Sequence, residues 1–522
     1  MARSSTPGFS KSISSTAIPV RRRTLSKRPD PDYDLFNSTS HRWLYNESLR
    51  LAERQRIFNL PGLRQLAAHS VGRQPSDILS LSKLGEGGFN RTFLITMRDG
   101  FRMVARVPYG FPPVYLTVAS EVATMDLLHS KGIPVPKIYG YNPSPDNEAR
   151  TEYMFMEYVQ GTSLADVWQD TVQNDPDESR AILKQVLDRD LEGLVTRTPI
   201  PLEDDRFCVG PDVSHMSWFG RRSQLDVDRG PFARAQDMLV APALKELAYL
   251  KQFGYGYKEK FPAEHTANLR RYLEMVPSLI RNTGTDLGRF CLRHPDLRDG
   301  NVFVERRSDS TDSSSVAGNG KWRIVSIIDW ERTSALPEFL HDSVFQQLCV
   351  YDPQPDPDER PWHPNIAPSL PGNFSEITDE GQRAKVEETY RRQFINHLYV
   401  QSGGPWMGET LELKVGLMKA EENWDILNGV ARGSSVPAPS CPITFDPQDV
   451  AETMALMKTQ ARVDWPLRIF EGITRISEAG REARKFCREE LEEKLERAET
   501  EEDRERVKEH WMYNDRDEEV YT

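Results

Sequence analysis

Alternating apolar and polar positions divide the middle of the chain into short strands, one helix and two charged loops. Over 79–96, Leu81 and Leu84 precede Gly85-Glu86-Gly87-Gly88-Phe89-Asn90, and Thr92, Phe93, Leu94 and Ile95 follow. Two apolar runs around a glycine-rich turn predict a β-hairpin. Met103-Val104-Ala105-Arg106-Val107 reads as the next strand, with Arg106 its single charge. Residues 118–130 have helical spacing, with Glu121 in the first turn. Phe155-Met156-Glu157-Tyr158-Val159-Gln160-Gly161 ends an apolar strand before another helical segment, the pattern of a hinge whose backbone can bond a ligand edge.

The sharpest pattern is Leu292-Arg293-His294-Pro295-Asp296-Leu297-Arg298-Asp299-Gly300-Asn301-Val302-Phe303-Val304. Asp296 and Asn301, in a loop with apolar flanks, put a carboxylate base and a neutral metal ligand at one site. Ile324-Val325-Ser326-Ile327-Ile328-Asp329-Trp330-Glu331 predicts a buried strand ending in a carboxylate. A strand-end Asp by itself is ordinarily a helix cap. The joint pattern HxDxxxxN, an intervening strand pair and IIDWE argues instead for chemistry. Gly85, Gly87 and Gly88 let backbone approach phosphate oxygens, although the chain then re-enters a strand, unlike a Rossmann loop.

Charge and low-complexity segments change the picture at the ends. The 522 residues carry a formal charge of −12, which argues against general nucleic-acid binding. That total conceals a leader, 1–29, with seven Lys/Arg and no acid, and a stretch, 481–522, with ten bases and sixteen acids. The leader has the composition of a mitochondrial transit peptide, but Pro7 and Pro19 interrupt a long helix, so a disordered basic tail or a nuclear signal at Arg21–Arg23 also stands. Apolar residues among charges over 42–58 predict a helix packed on the body. Residues 308–320 and 433–442 read as loops, as does 352–371 with seven prolines; the acidic end reads as a solvated helix. Five widely spaced Cys without a CxxC pair argue against a disulfide framework or structural zinc. No apolar run is long enough for a membrane-spanning helix.

At LGEGGFNRTF, VARVP, SEVATMDLL with GIPVPKIYGY, FMEYVQG, FCLRHPDLRDGN and IIDWE, the chain resembles the aminoglycoside phosphotransferase family. It looks closest to the fungal branch that includes altered inheritance of mitochondria protein nine. FCVGP at 207–211 and DRGPF at 228–232 also resemble that branch but have no chemical role in this reading. The resemblance spans about 40–440 and implies an α+β, bilobal, protein-kinase-like fold with an antiparallel β N-lobe and a mainly helical C-lobe. The expected organisation is leader 1–29, helical extension 30–78, N-lobe 79–156, C-lobe with a helical insertion 157–445, and charged helices 446–522.

The same resemblance implies ATP and Mg²⁺ as cofactors. Gly85, Gly87 and Gly88 would cover the phosphates, Arg106 would bind them while paired to Glu121, and the backbone of Glu157 and Val159 would hold adenine. Asp296 would orient or deprotonate an acceptor hydroxyl, with Asn301 and Asp329 on the metal. Arg298 is placed to meet the transferring phosphate, or is a surface arginine. The partner implied is a small-molecule phosphate acceptor, with no nucleic acid and no membrane span. Two departures stand out: Arg106 occupies a position where active kinases of this fold carry Lys, and Asn90 one where protein kinases carry a third Gly. Two readings follow, an ATP-dependent small-molecule phosphotransferase, or a nucleotide-binding pseudokinase or scaffold in mitochondrial maintenance. The localisation expected is mitochondrial, with cytoplasmic as the alternative.

Overall fold

The computed structural model describes residues 32–175, 177–179, 181–182, 206–254, 261–280, 290–306, 322–340, 368, 370, 377–406, 411–428, 439–468, 473–475 and 478–511. The leader, the 308–320 loop and nearly all of 352–371 lie outside these residues.

The described chain begins with helix α1 (Tyr33–Phe36), strand β1 (His41–Trp43) and helices α2 (Glu47–Glu53) and α3 (Leu60–Ser70). The expected helix over 42–58 is thus a strand followed by a two-turn helix. Next come β2 (Ile78–Glu86), β3 (Asn90–Met97), β4 (Arg102–Pro108), helix α4 (Val114–Ser130), β5 (Ile138–Asn142) and β6 (Tyr153–Glu157). The five strands from β2 to β6 form one antiparallel sheet in the order β2-β3-β4-β6-β5. Side chains alternate between its faces. Phe93, Met103, Ala105, Val107 and Phe155 are buried with Leu63, Ala67 and Ala68 of α3, while Val104, Arg106 and Met156 turn to the opposite side and line a cleft.

Helix α4 starts at Val114, directly after Pro113, rather than at 118. Glu121 therefore sits beyond the first turn, and its charge has nothing to do with the helix N-terminus. Val122, Met125 and Leu128 are buried with Met154 of the sheet and with Leu297, Val302, Val304, Ile327 and Trp330. That shared core joins the two halves of the molecule through α4.

After the hinge come β7 (Thr162–Ser163), α5 (Leu164–Asn174) and long helices at Ala235–Phe253 and Phe261–Leu279. Four strands follow, β8 (Phe290–Arg293), β9 (Val302–Arg306), β10 (Trp322–Ile327) and β11 (Ser334–Pro337). They pair antiparallel as β10-β9-β7 and β11-β8, and helices Glu380–Gly403 and Leu411–Glu422 complete a mainly helical half. The fold is bilobal and α+β, as expected. At the hinge a Cβ on Gly161 would stand 3.0 Å from Val325 and 3.1 Å from the Val304 carbonyl, so only glycine lets the chain pass this close to β9 and β10.

The two ends of the described chain meet. Strand β12 (Ile473–Arg475) pairs antiparallel with β1. Cys487 and Trp511 of the acidic segment are buried against Leu44 and Tyr45. The expected solvated helix is therefore seated along one edge, with ion pairs such as Lys485–Glu489, 3.5 Å apart, on its outer side.

Glu86, inside the glycine motif, faces this N-terminal extension and not the cleft. Its carboxylate accepts from the Thr39 and Ser40 N–H groups at 3.0 and 2.8 Å and from Lys83 Nζ at 2.6 Å. Burial pushes this carboxyl up, but Lys83, the Ser40 hydroxyl and these N–H groups outweigh burial and hold it at about 2. A depressed carboxylate stabilises the fold above its unfolded pKa, and that contribution is lost as pH falls through the folded value. Docking of residues 37–40 is expected to weaken from about pH 4.5 down to pH 2. Glu86→Gln should remove that acid dependence in thermal melts; an unchanged pH profile would contradict this.

Candidate functional site

The HxDxxxxN sequence forms β8, a bend, one short 3-10 turn at Asp299–Asn301 and β9. Asn301 is buried, and its Nδ2 donates to the Asp296 carbonyl at 2.8 Å and to Asp296 Oδ2 at 3.2 Å. Its backbone carbonyl accepts from the Ile328 N–H at 2.9 Å, which locks the loop to the segment leading into Asp329. His294 adds a second lock. The Asp296 N–H donates to His294 Nδ1 at 3.1 Å, so Nε2 carries the proton and donates to the Ile328 carbonyl at 2.9 Å. Burial lowers the pKa of this histidine, and the neutral ring is the form those two bonds require.

Asp329 has φ +68°, a left-handed conformation that non-glycine residues rarely adopt and that costs on the order of 1–3 kcal/mol. It is held there by bonds on both sides. Arg106 Nη2 donates to Asp329 Oδ1 at 2.7 Å and to Glu331 Oε2 at 2.9 Å, while Nη1 meets Glu121 Oε1 at 2.5 Å. Asn90, at the start of β3, donates through Nδ2 to the same Glu331 oxygen. One guanidinium thus faces three carboxylates. Burial opposes ionisation of Asp329, but Arg106 prevails and its pKa falls. For Glu121 and Glu331 burial wins, helped by their neighbouring carboxylates, and both are raised.

Arg106, Glu121, Asn301, Asp329 and Glu331 line one cleft of about 460 Å³, together with Gly87, Gly88, Glu157, Val159 and Gly161. Gly85 is not among its walls: it lies inside β2, paired with Thr92, and the tight turn is made by Gly87, whose N–H donates to the Asn90 carbonyl at 2.9 Å. The Glu157 N–H is used by the Lys137 carbonyl at 2.8 Å. Arg298 is exposed, and its Nε donates to Asp296 Oδ2 at 2.8 Å, so it meets the carboxylate of the loop itself. Sequence reasoning missed His294, Asn90 and Glu331. For Glu331 the signal was its place in the IIDWE motif, two residues beyond Asp329.

The donor set suits a hard divalent cation. With the Asn301 amide nitrogen turned to Asp296, its oxygen is directed away, and Asp329 adds a carboxylate that is partly exposed. Mg²⁺ is commonly held by one or two such oxygens together with phosphate and water. Among the described residues no cluster of three or more His, Cys, Asp or Glu has metal-binding arrangement. A second cavity, of about 330 Å³, lies on the other face of α4, against Ala119 and Ala123. The stretch 207–211 and, from 228–232, Arg229, Pro231 and Phe232, which resembled the fungal branch without a role, contribute to its lining.

An antiparallel small lobe and a helical lobe, meeting over a loop of this pattern, make this a kinase-like fold of the phosphotransferase class. Residues 80–335 match the Phosphotransferase enzyme family. A subtelomeric hrmA-associated cluster protein of Aspergillus fumigatus is 25% identical over 453 residues, covering 71% of this chain and 82% of that relative. Altered inheritance of mitochondria protein 9, mitochondrial, of Yarrowia lipolytica is 26% identical over 366 residues, with 61% of each chain covered. Among solved structures, choline kinase from Cryptosporidium parvum Iowa II aligns at 12% identity and a TM-score of 0.38, over 71% of this chain and 97% of that one. Among the described residues no helix is long and apolar enough to cross a membrane.

Proposed function

We propose that this protein transfers the γ-phosphoryl group of ATP to a hydroxyl of a small molecule. The observation that carries this reading is the convergence on one cleft of Asn301, Asp329 and Arg106, with Asp296 bonded to Asn301 beside it. Asp296 takes the proton of the acceptor hydroxyl as the new oxygen–phosphorus bond forms and the bond to the β,γ-bridging oxygen breaks, leaving ADP. Asn301 and Asp329 would hold Mg²⁺, which when bound neutralises phosphate charge. Arg106, steadied by Glu121, engages the α- and β-phosphates, and the Gly87–Gly88 turn covers them. The Glu157 carbonyl and the Val159 backbone hold adenine. Arg298, now on Asp296, is within reach of a phosphoryl group arriving there. Purified protein with radiolabelled ATP and a library of alcohols and amino alcohols tests this. A labelled acceptor is the expected result.

One observation favours a second reading. The Arg106 Nη2 is taken up by both Asp329 and Glu331, which suits a protein that binds nucleotide without turnover. Binding of Mg·ATP with no labelled product across the library would select that pseudokinase reading, and no nucleotide binding would sink both. We also assign a mitochondrial location, supported by the basic leader and by the relatives' names. Fractionation of the tagged full chain checks it, and a wholly cytosolic signal overturns it.

A further inference from the structure

We infer that Glu331 is a positioning residue that draws Arg106 off Asp329, and so leaves the Asp329 carboxylate available to a divalent cation. The geometry is specific. Asp329 Oδ1 and Glu331 Oε2 compete for one nitrogen, Arg106 Nη2, at 2.7 and 2.9 Å, while Nη1 is committed to Glu121. Glu331 is buried, so its charge is neither screened by water nor able to turn away. Asn90 donates to Oε2, the oxygen that Arg106 shares, while Arg332 Nε lies 3.8 Å from Oε1 and the Asp329 and Glu121 carboxylates stand beside it, so Asn90 and Arg106 fix Oε2 between them. If the Glu331 charge is removed, Asp329 is the remaining claimant on Nη2, and a metal must displace the full ion pair.

The same arrangement explains why an arginine stands at 106. A guanidinium serves two sides at once, with Nη1 on the α4 carboxylate and Nη2 on the pair at the end of β10. A lysine would bring a single nitrogen to three carboxylates and leave one of them poorly compensated in a buried setting. Arg106 and Glu331 therefore work as a matched pair, and each substitution is expected to depend on the other. Asn90 connects this pair to the glycine turn, so the turn, the α4 acid and the metal carboxylate share one cation.

This inference rests on the proposed metal role of Asp329, and its test is arranged so that the two can fail separately. The probe is Mn²⁺ alone, titrated into the full chain and followed by electron paramagnetic resonance, then repeated with AMP-PNP. Glu331→Gln is expected to raise the Mn²⁺ concentration at half-saturation about tenfold in both conditions. Arg106→Lys should lower the unliganded melting temperature, and adding Glu331→Gln to it should restore a good part of that loss. Mn²⁺ binding without any AMP-PNP binding would defeat the phosphotransferase reading and leave this one standing. An unchanged Mn²⁺ midpoint in Glu331→Gln, no Mn²⁺ binding in the parent protein, or no rescue in the double variant would each overturn it.

Discussion

Asp296→Asn is expected to leave the melting temperature of this protein unchanged and to reduce phosphoryl transfer by about 10³-fold. The Asp296 side chain is 43% exposed, and the Asn301 and His294 bonds that shape the loop go largely to its backbone, so an isosteric amide keeps the fold. What the amide lacks is a charge to take the acceptor proton and to hold Arg298. Km for nucleotide should change little, because the phosphate and metal roles proposed above fall on Asn301, Asp329 and Arg106. Initial rates with a phosphate acceptor, alongside nucleotide binding by calorimetry, separate the two effects. Full activity in the Asn variant would remove Asp296 from the mechanism.

A second large effect is expected far from the cleft. Arg222 and Glu246 form a two-pronged ion pair at 2.6 and 2.7 Å, both fully buried in the helical half. Glu246 also meets Lys245 Nζ at 2.8 Å and the Trp406 N–H at 3.3 Å, and the Arg222 guanidinium stacks 3.7 Å from the Tyr249 ring centroid. Glu246→Ala leaves two buried cations short of their counter-ion and is expected to cost about 3–5 kcal/mol in urea denaturation. Replacing Arg222 and Glu246 together by Met should cost less, since no uncompensated charge remains. A double variant as unstable as Glu246→Ala would mean that packing, and not charge, dominates there. The cluster ties the 220–224 turn to the Ala235–Phe253 helix and to the end of the Glu380–Gly403 helix, so its loss should reach the cleft only through the large lobe.

What could be read along the chain is what short spacing controls. Strand alternation marked β3, β4 and β6, and the glycine run marked the hairpin turn between β2 and β3. Asp296 and Asn301 lie five residues apart in one loop, so the local bend alone brings them together. Helix α4 was recognised but started too late, because the apolar period begins at Val118 whereas Pro113 sets where the backbone turns helical. Gly85 looked equivalent to its neighbours in sequence, yet pairing with Thr92 absorbs it into β2.

The sequence by itself therefore determined the hairpin, the hinge and the identity of the loop and strand-end carboxylates, since each follows from periodicity or spacing within one segment, while the two-lobed kinase-like architecture was implied by the resemblance its motifs carry. Only the tertiary structure decided how those groups are shared. Arg106 reaches Asp329 across 223 positions of chain, and Asn90 reaches Glu331 across 241. It also turned Glu86 toward Thr39 and Ser40 and set the acidic C-terminal segment beside β1. A charge in a sequence does not state which of several opposite charges it will meet. Burial raises the cost of leaving any of them unmet, so the packed fold, and not local pattern, selects the partners.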